Sequence, residues 1–226
     1  NRRDANNLTG TFRPAAGAVD YLKNCESLAI TYTVTVNDSK GGTDTQDITI
    51  TINGANDVPL TSYVSSTSSS FTITASDPDD TSLKLAGNPT TLFNDQNGNP
   101  TSSLVNDGNV NTTYTVKSQS APTAYRVVVE DAAGAQSAVL NSEGDELVVS
   151  IGSALRNTLG PVESNQAAIY YGFGGNDTIR AGVNADTLYG GEGDDKFVVL
   201  GEILAGAFGS GSYSTWTDAA LQAAID

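Results

Sequence analysis

The sequence predicts an all-β protein in which β-sandwich modules precede a short parallel β-roll. Apolar and polar residues alternate in several segments between residues 28 and 151, as they do in half-buried strands. Gly, Ser, Thr and Asn separate these segments, which is typical of turns between short strands. From Gly172 to Val198 a nine-residue repeat replaces the alternation. The first two features predict sandwiches, and the third predicts a roll.

The first predicted element is a hairpin within residues 1–58. Residues 28–36, "LAITYTVTV", place their Ile, Tyr and Val side chains on one face and their Thr side chains on the other. After the Gly-rich turn at residues 37–44, residues 47–54, "DITITING", place three Ile side chains inward. We expect this pair to close an antiparallel sandwich. Cys25 is the only cysteine, so no internal disulfide forms, and we expect it to be a small buried residue.

A second sandwich is predicted for residues 59–160. Pro59 ends the preceding strand, since proline restricts the residue before it to extended conformations. Phe71, Ile73 and Ala75 then fall on one face of a new strand. Later strand-like segments follow at sandwich spacing: residues 112–116, 124–130, 135–140 and 145–151, with a hairpin turn at "EDAAG".

The roll is predicted from the template Gly-Gly-x-Gly-x-Asp-x-apolar-x. Residues 190–198, "GGEGDDKFV", match every fixed position, and residues 172–180, "GFGGNDTIR", miss only the second Gly. Residues 181–189, "AGVNADTLY", keep the Asp and the apolar residue. Each unit is a tight turn and a short strand, and two units make one coil. We assign residues 161–226 to this roll and a cap packed on the sandwich. The cap includes a short helix that starts at Thr217 and carries Leu221 and Ile225.

Charge and composition predict that the roll binds Ca²⁺. The net charge is −15, from 26 acidic and 11 basic residues, so a cation is the expected partner and nucleic acid is not. The sequence has no His, which excludes the usual zinc sites and favours an oxygen-binding ion. Ca²⁺ accepts about six to eight oxygens, whereas Mg²⁺ demands a stricter octahedron. We place one ion between two turns on the same side of the coil. Its expected ligands are the carboxylates of Asp177 and Asp195 and the carbonyls of Gly172, Gly174, Gly190 and Glu192. Asp186 lies on the opposite side, where its neighbours lack a matching Asp and predict an incomplete site.

These nonapeptides resemble the RTX (repeats-in-toxin) motif of secreted bacterial proteins. The first 58 residues, through "NDVP", look like the C-terminal part of a VCBS-type, cadherin-like repeat, in which a Gly is usual at the position of Cys25. "SDPDD" and "VVVEDAAGAQS" resemble a second cadherin-like, Ig-like sandwich. The combination is similar to the distal region of giant RTX adhesins of Gram-negative bacteria. That resemblance implies type I secretion, an extracellular location on the bacterial cell surface, sandwiches stiffened by Ca²⁺, and in some cases a Ca²⁺-dependent domain that binds the C-terminus of a peptide.

A second calcium site is predicted from acids at the junction of the modules. Its candidate ligands share carboxylate or amide oxygens in a linker and two loops: Asn56, Asp57, Asp77, Asp79, Asp80 and Asp131. The alternative is a set of solvated turn residues, because Asp is common in turns.

We interpret the chain as a Ca²⁺-dependent binding module of such an adhesin that attaches to a protein or glycan of a host or neighbouring cell. A peptide C-terminus is the first candidate ligand, with Arg156, Tyr170, Tyr171 and Arg180 near the sandwich–roll junction as candidate contacts. Core packing is the alternative for the tyrosines. A purely structural extender and a carbohydrate-binding module remain open. We expect no enzyme, since no His is available for a catalytic triad or an HExxH site. We also expect no membrane insertion and a monomer within a larger chain.

Overall fold

Every regular element of the computed structural model is a β-strand in the part it describes, residues 11–163 and 166–199 and the backbone of Thr215–Thr217. The all-β prediction is therefore confirmed. No helix in those residues is long and apolar enough to cross a membrane. The predicted C-terminal helix lies outside the described residues, apart from Thr217, which ends a strand. The chain divides into two compact units, Asn1–Asp57 and Val58–Asp226.

The first unit contains the predicted hairpin. Strands β1 (Ser27–Asn37) and β2 (Thr43–Asn53) pair antiparallel in a two-stranded sheet. Tyr32 faces Ile48 across the pair, and both side chains are 47% exposed, so the prediction that Ile48 points inward is wrong. The described residues of this unit place no second sheet over the Ile-rich face, and alternation alone cannot reveal whether a covering layer exists.

Cys25 shows a second departure from the sequence-based expectation. Its thiol is exposed rather than buried. Its φ of 71° lies in the left-handed region, which glycine adopts far more readily than other residues. The residue forms part of a turn just before β1, and this backbone conformation explains why a Gly suits the position.

The second unit begins with a sandwich whose strands form two four-stranded sheets. One sheet has the order β3-β4-β8-β6 and the other the order β11-β10-β5-β7. The strands of the first sheet are β3 (Leu60–Thr67), β4 (Ser70–Ser76), β6 (Phe93–Asn94) and β8 (Thr112–Val116). Those of the second are β5 (Leu83–Leu85), β7 (Ser103–Leu104), β10 (Val128–Glu130) and β11 (Gln136–Ala138).

The sandwich core is built from the alternating residues that the sequence indicated. Phe71, Ile73 and Ala75 of β4 are buried, as predicted, and Phe71 stacks on Tyr114 of β8. The predicted hairpin at "EDAAG" is confirmed, since β10 and β11 pair antiparallel around it. The segment predicted as one strand over residues 124–130 is instead two strands, because the chain changes sheets at the buried Val127 between β9 (Thr123–Arg126) and β10.

The roll follows directly from the sandwich and consists of two sheets of parallel strands. In one, β12 (Glu146–Ile151), β14 (Gln166–Tyr171) and β16 (Thr187–Tyr189) pair in parallel, and β9 joins β12 antiparallel. In the other, β13 (Thr158–Leu159), β15 (Thr178–Arg180) and β17 (Lys196–Val198) pair in parallel, with β18 (Thr215–Thr217) antiparallel at the edge.

One sheet of the roll serves as a wall between two hydrophobic cores. Side chains alternate along β14, so Ile169 and Tyr171 pack into the sandwich core, whereas Ala168 and Tyr170 pack into the roll core. The roll core also contains the apolar residues of the repeats, including Ile179 and Phe197. This shared sheet places the turns of the repeats directly beside the sandwich.

Candidate metal centre

Three turns stack on one side of the roll: residues 152–157, 172–177 and 190–195. Their register follows from the strands after them, in which Thr158 pairs with Thr178 and Thr178 pairs with Lys196. Backbone hydrogen bonds continue the register through the turns, since Glu192 N donates to Phe173 O at 2.9 Å and Gly174 N donates to Ser153 O at 3.3 Å. Equivalent positions of successive turns therefore lie one above another.

Only one of the two oxygens of the Asp177 carboxylate, and only one of the Asp195 carboxylate, accepts a hydrogen bond. Asp177 Oδ1 accepts a hydrogen bond from Asn157 N at 2.6 Å, and Asp195 Oδ1 accepts one from Asp177 N at 2.8 Å. Both residues are 1% exposed, and the second oxygen of each, Oδ2, is buried without a hydrogen-bond donor. A buried anionic oxygen without a partner is costly, so each Oδ2 requires a positive charge.

Glycines keep the space beside these oxygens open. A Cβ atom built on Gly172 would lie 2.2 Å from Gly190 O and 2.5 Å from Asp177 Oδ2. One built on Gly190 would lie 2.2 Å from Asp195 Oδ2. A carbonyl oxygen and a carboxylate oxygen therefore converge on the same side-chain-free space between two turns, which is the arrangement that the nonapeptide spacing predicts.

This donor set fits Ca²⁺. No group of three or more Asp, Glu, His or Cys side chains among the described residues could hold a metal ion by itself, so an ion here must also use backbone carbonyls. Ca²⁺ accepts such mixed carboxylate and carbonyl sets. Burial raises the pKa of Asp177 to about 6, and the nearby Asp195 carboxylate adds to that shift. Burial of this kind disfavours the carboxylate charge, which a bound cation would stabilise.

Comparison with protein families agrees with this geometry. Residues 171–199 match the family model described as the RTX calcium-binding nonapeptide repeat (4 copies). These residues are therefore similar to RTX repeats, whose cofactor is Ca²⁺. No curated protein matches the chain.

The remaining predicted ligands of the RTX ion lie on the same turns. Gly174 is half-buried and forms a parallel bridge with Glu192, whose side chain is exposed. Glu192 therefore directs only its backbone toward the neighbouring turn. The carbonyl roles assigned to these two residues stay predictions.

Asp186 occupies the opposite side of the RTX roll, as the spacing predicts. Its Oδ1 accepts a hydrogen bond from Ala168 N at 2.7 Å, and its Oδ2 accepts one from Gly182 N at 2.6 Å. Burial raises the pKa of this carboxyl, and the two N–H donors partly oppose that effect. Each oxygen thus accepts one backbone amide, and these hydrogen bonds hold this side of the coil together. The role of Asp186 as a metal ligand stays a prediction.

The second acidic group gathers four buried aspartates in two loops of the sandwich: Asp77, Asp79, Asp80 and Asp131. Asp77 Oδ1 accepts hydrogen bonds from the backbone N–H groups of Asp79 and Asp80, and Asp80 Oδ2 accepts one from Ala132 N. Asn106 bridges the loop by donating to the carbonyls of Asp77 and Asp80. Burial, followed by the adjacent Asp79 carboxyl, raises the pKa of Asp77 to about 6.

Asn56 and Asp57 belong to the first unit, where Asn56 Nδ2 donates to Asp57 O at 2.7 Å. Their assignment to the same calcium site as the sandwich aspartates stays a prediction.

The four residues proposed as ligand contacts separate into two classes. Tyr170 and Tyr171 are buried in the roll core and the sandwich core respectively, which is the core-packing alternative. Arg156 and Arg180 are exposed, on the first turn and at the end of β15. Any ligand contact from this set must therefore come from the arginines.

Sequence reasoning missed the first turn and its coil, residues 152–160, "GSALRNTLG". This segment shares only its first Gly and its apolar Leu159 with the repeat template, and Asn157 stands in the Asp position. Its spacing also differs from that of the repeats. Thr158 pairs with Thr178, 20 residues further along the chain, whereas Thr178 pairs with Lys196, 18 residues further along. The signals that could have found it were Asn157 and Leu159, two residues apart as in the RTX units.

Proposed function

We propose that this chain is part of a large secreted RTX adhesin of a Gram-negative bacterium, in which Ca²⁺ folds the roll and fixes it against the sandwich. The observation that carries the proposal is the pair of buried, donorless oxygens, Asp177 Oδ2 and Asp195 Oδ2. Repeats of this type occur in proteins exported by type I secretion. A fold completed by Ca²⁺ suits the extracellular medium, where modules bind the ion with Kd values of about 10⁻⁴–10⁻³ M.

The experiment compares Asp177→Asn with Asp186→Asn in thermal melts with millimolar Ca²⁺ and with EGTA. The wild type should gain stability from Ca²⁺, by about 2.7 kcal/mol at a concentration of 100 times Kd. Asp177→Asn should lose most of that gain. Asp186→Asn is the matched control, because it replaces a carboxylate that accepts two backbone N–H groups and should destabilise the protein equally in both media. Equal Ca²⁺ gains in the wild type and Asp177→Asn would contradict the proposal.

We also propose that the sandwich aspartates around Asp77 hold a second Ca²⁺. Supporting this is the burial of four carboxylates in two loops, where Asp77 Oδ2 accepts no N–H donor. Because no three acidic side chains of the described residues form a metal site by themselves, an ion here would also need backbone carbonyls. Native mass spectrometry should count one ion fewer in Asp77→Asn than in the wild type. Asp95→Asn is the control, since Asp95 is a half-buried turn residue whose Oδ1 accepts two backbone N–H groups. An unchanged count in Asp77→Asn would remove this second site.

Ligand binding is the second candidate function, and the exposure of Arg156 and Arg180 favours it. No ion pair of either guanidinium occurs among the described residues, so both can meet an anionic group such as the C-terminal carboxylate of a peptide on a neighbouring cell. Peptide and glycan arrays probed with and without Ca²⁺ test this candidate. Peptide binding that requires Ca²⁺ and disappears in the Arg156→Ala/Arg180→Ala variant supports it. Glycan binding indicates a carbohydrate-binding module, and silence on both arrays favours a structural extender.

A further inference from the structure

The first coil of the roll differs from the RTX coils in how its turn is held together. It lies outside residues 171–199, which match the RTX family model, yet its strand pairs with β15 in the same parallel register. It also follows directly from β12, whose Leu147, Val149 and Ile151 side chains pack into the sandwich core. The first coil is thus the direct connection between the sandwich and the calcium-binding coils.

The turn of this coil is closed by a pair of side chains, Ser153 and Asn157. Asn157 Oδ1 accepts hydrogen bonds from Ser153 N at 2.6 Å and from Ser153 Oγ at 3.1 Å. Asn157 Nδ2 donates to Ser153 Oγ at 2.9 Å, and Leu155 N donates to the same hydroxyl at 3.1 Å. Both side chains are buried, and the polar atoms of each have partners within the turn. The first turn is therefore complete without an ion.

The space beside Asn157 matches the calcium-binding space one coil further along. A Cβ atom built on Gly152 would lie 2.6 Å from Asn157 Oδ1 and 2.6 Å from Gly172 O. The equivalent atom on Gly172 would lie close to Asp177 Oδ2 and Gly190 O. Asn157 Oδ1 thus takes the place of the donorless Asp177 Oδ2, but Ser153 supplies its donors. The first turn and the next turn therefore share one geometry. They differ in what contacts the side-chain oxygen, which is the Ser153 donors at Asn157 and the cation at Asp177.

The first turn also positions the first calcium-binding carboxylate. Asn157 N donates to Asp177 Oδ1 at 2.6 Å, just as Asp177 N donates to Asp195 Oδ1 in the next layer. A turn that is already folded presents this donor before any ion binds. It holds one oxygen of Asp177 and leaves the other directed at the ion.

We propose that residues 152–160 form a metal-free first coil, closed by the Ser153–Asn157 pair, on which the calcium-dependent coils assemble. The coil anchors the roll to the sandwich, orients Asp177, and keeps its own shape when calcium is removed. The proposal concerns the order and independence of folding within the roll, and it does not depend on whether the protein is an adhesin.

Hydrogen exchange of the wild type in EGTA provides the first test. The amides of the first turn should stay protected, in particular Ser153 N and Leu155 N, whose acceptors lie within the turn, while those of residues 172–180 and 190–198 exchange and regain protection only when Ca²⁺ is added. Equal exchange of all three segments in EGTA would overturn the proposal, since the first coil would then depend on calcium as the others do.

Substitution of Asn157 provides the second test. Asn157→Asp replaces the amide by a second carboxylate oxygen beside Gly172 O, so native mass spectrometry should count one Ca²⁺ more than in the wild type. Asn176→Asp is the matched control, because it adds the same charge to the exposed position just before Asp177 and should leave the count unchanged. An unchanged count of Ca²⁺ in Asn157→Asp would refute the equivalence of the spaces beside Asn157 and Asp177.

The Ser153→Ala/Asn157→Ala variant tests the positioning role. Loss of the pair should weaken Ca²⁺ affinity by about tenfold, the lower end of the effect usual for groups that orient metal ligands. If the coil were only a cap that contributes packing, the melting temperature in EGTA would fall while the affinity for Ca²⁺ stayed the same. That result would overturn the positioning role.

Discussion

Gly172→Ala should weaken calcium binding even though alanine is compatible with the backbone at this position. The added Cβ would lie 2.2 Å from Gly190 O and 2.5 Å from Asp177 Oδ2, whereas real Cβ contacts essentially never fall below 3.0 Å. Both oxygens converge on the ion, so the methyl group must displace ligands by roughly 0.5–1 Å. Overpacking of this kind costs about 1–3 kcal/mol. If the whole cost falls on the calcium-bound state, Kd rises roughly five- to 150-fold.

Isothermal titration of the chelator-stripped protein measures this effect directly. Gly174→Ala is the matched control in the same turn, since the nearest atom to its added Cβ is 3.7 Å away and its φ is not in the left-handed region. That variant should bind Ca²⁺ as the wild type does. Equal affinities for Gly172→Ala and Gly174→Ala would refute the placement of the ion between residues 172–177 and 190–195.

Three further predictions concern the pH response and two residues with positive φ. In protein stripped of calcium by dialysis, the free energy of unfolding should fall by about 2 kcal/mol between pH 4 and pH 7. Burial raises the pKa of Asp177 to about 6 in the folded state against 3.8 unfolded, so the folded protein binds more protons in that range; a pH-independent melting temperature would contradict this. Phe173 has a φ of 74°, so Phe173→Gly should be more stable in chemical denaturation than Phe173→Ala by about 1 kcal/mol, the reverse of the usual order. In the first unit, Cys25→Gly should likewise be more stable in chemical denaturation than Cys25→Ala. The opposite order of stability at either position would show that the backbone there is not strained.

The strands of the sandwich could be predicted because burial imposes a period of two. Residues 112–116 coincide with β8, and the alternation around Ile73 identified the buried face of β4. The partners of each strand could not be predicted, since alternation does not record which sheet a strand joins. The change of sheets at Val127 illustrates this, because all residues from Val127 to Val129 are apolar and buried. A continuous apolar run is compatible with one strand or with two.

The stacked turns of the repeats could be predicted because a calcium-binding nonapeptide has a fixed spacing of Gly and Asp. The first coil could not, because the Ser153–Asn157 pair achieves the same turn with side-chain hydrogen bonds and needs neither the acid nor the extra glycines. The tyrosines show a different limit. Tyr170 and Tyr171 are adjacent, and both are buried because β14 has a core on each face, which sequence alone cannot distinguish from two residues lining a ligand site.

Calcium at the roll should influence the sandwich, because aromatic residues connect the two. Tyr171 immediately precedes the first calcium-binding turn and stacks on Tyr189 at a centroid distance of 5.4 Å. Its hydroxyl donates to Ser70 O in β4, and the Tyr189 hydroxyl shares a hydrogen bond with Ser66 Oγ in β3. If calcium loss loosened the RTX coils, β16 would release Tyr189, and the face of Tyr171 that now packs against it would meet water. Part of the sandwich core would then be exposed. The sandwich and the roll should therefore unfold in one thermal transition with calcium and in two transitions without it.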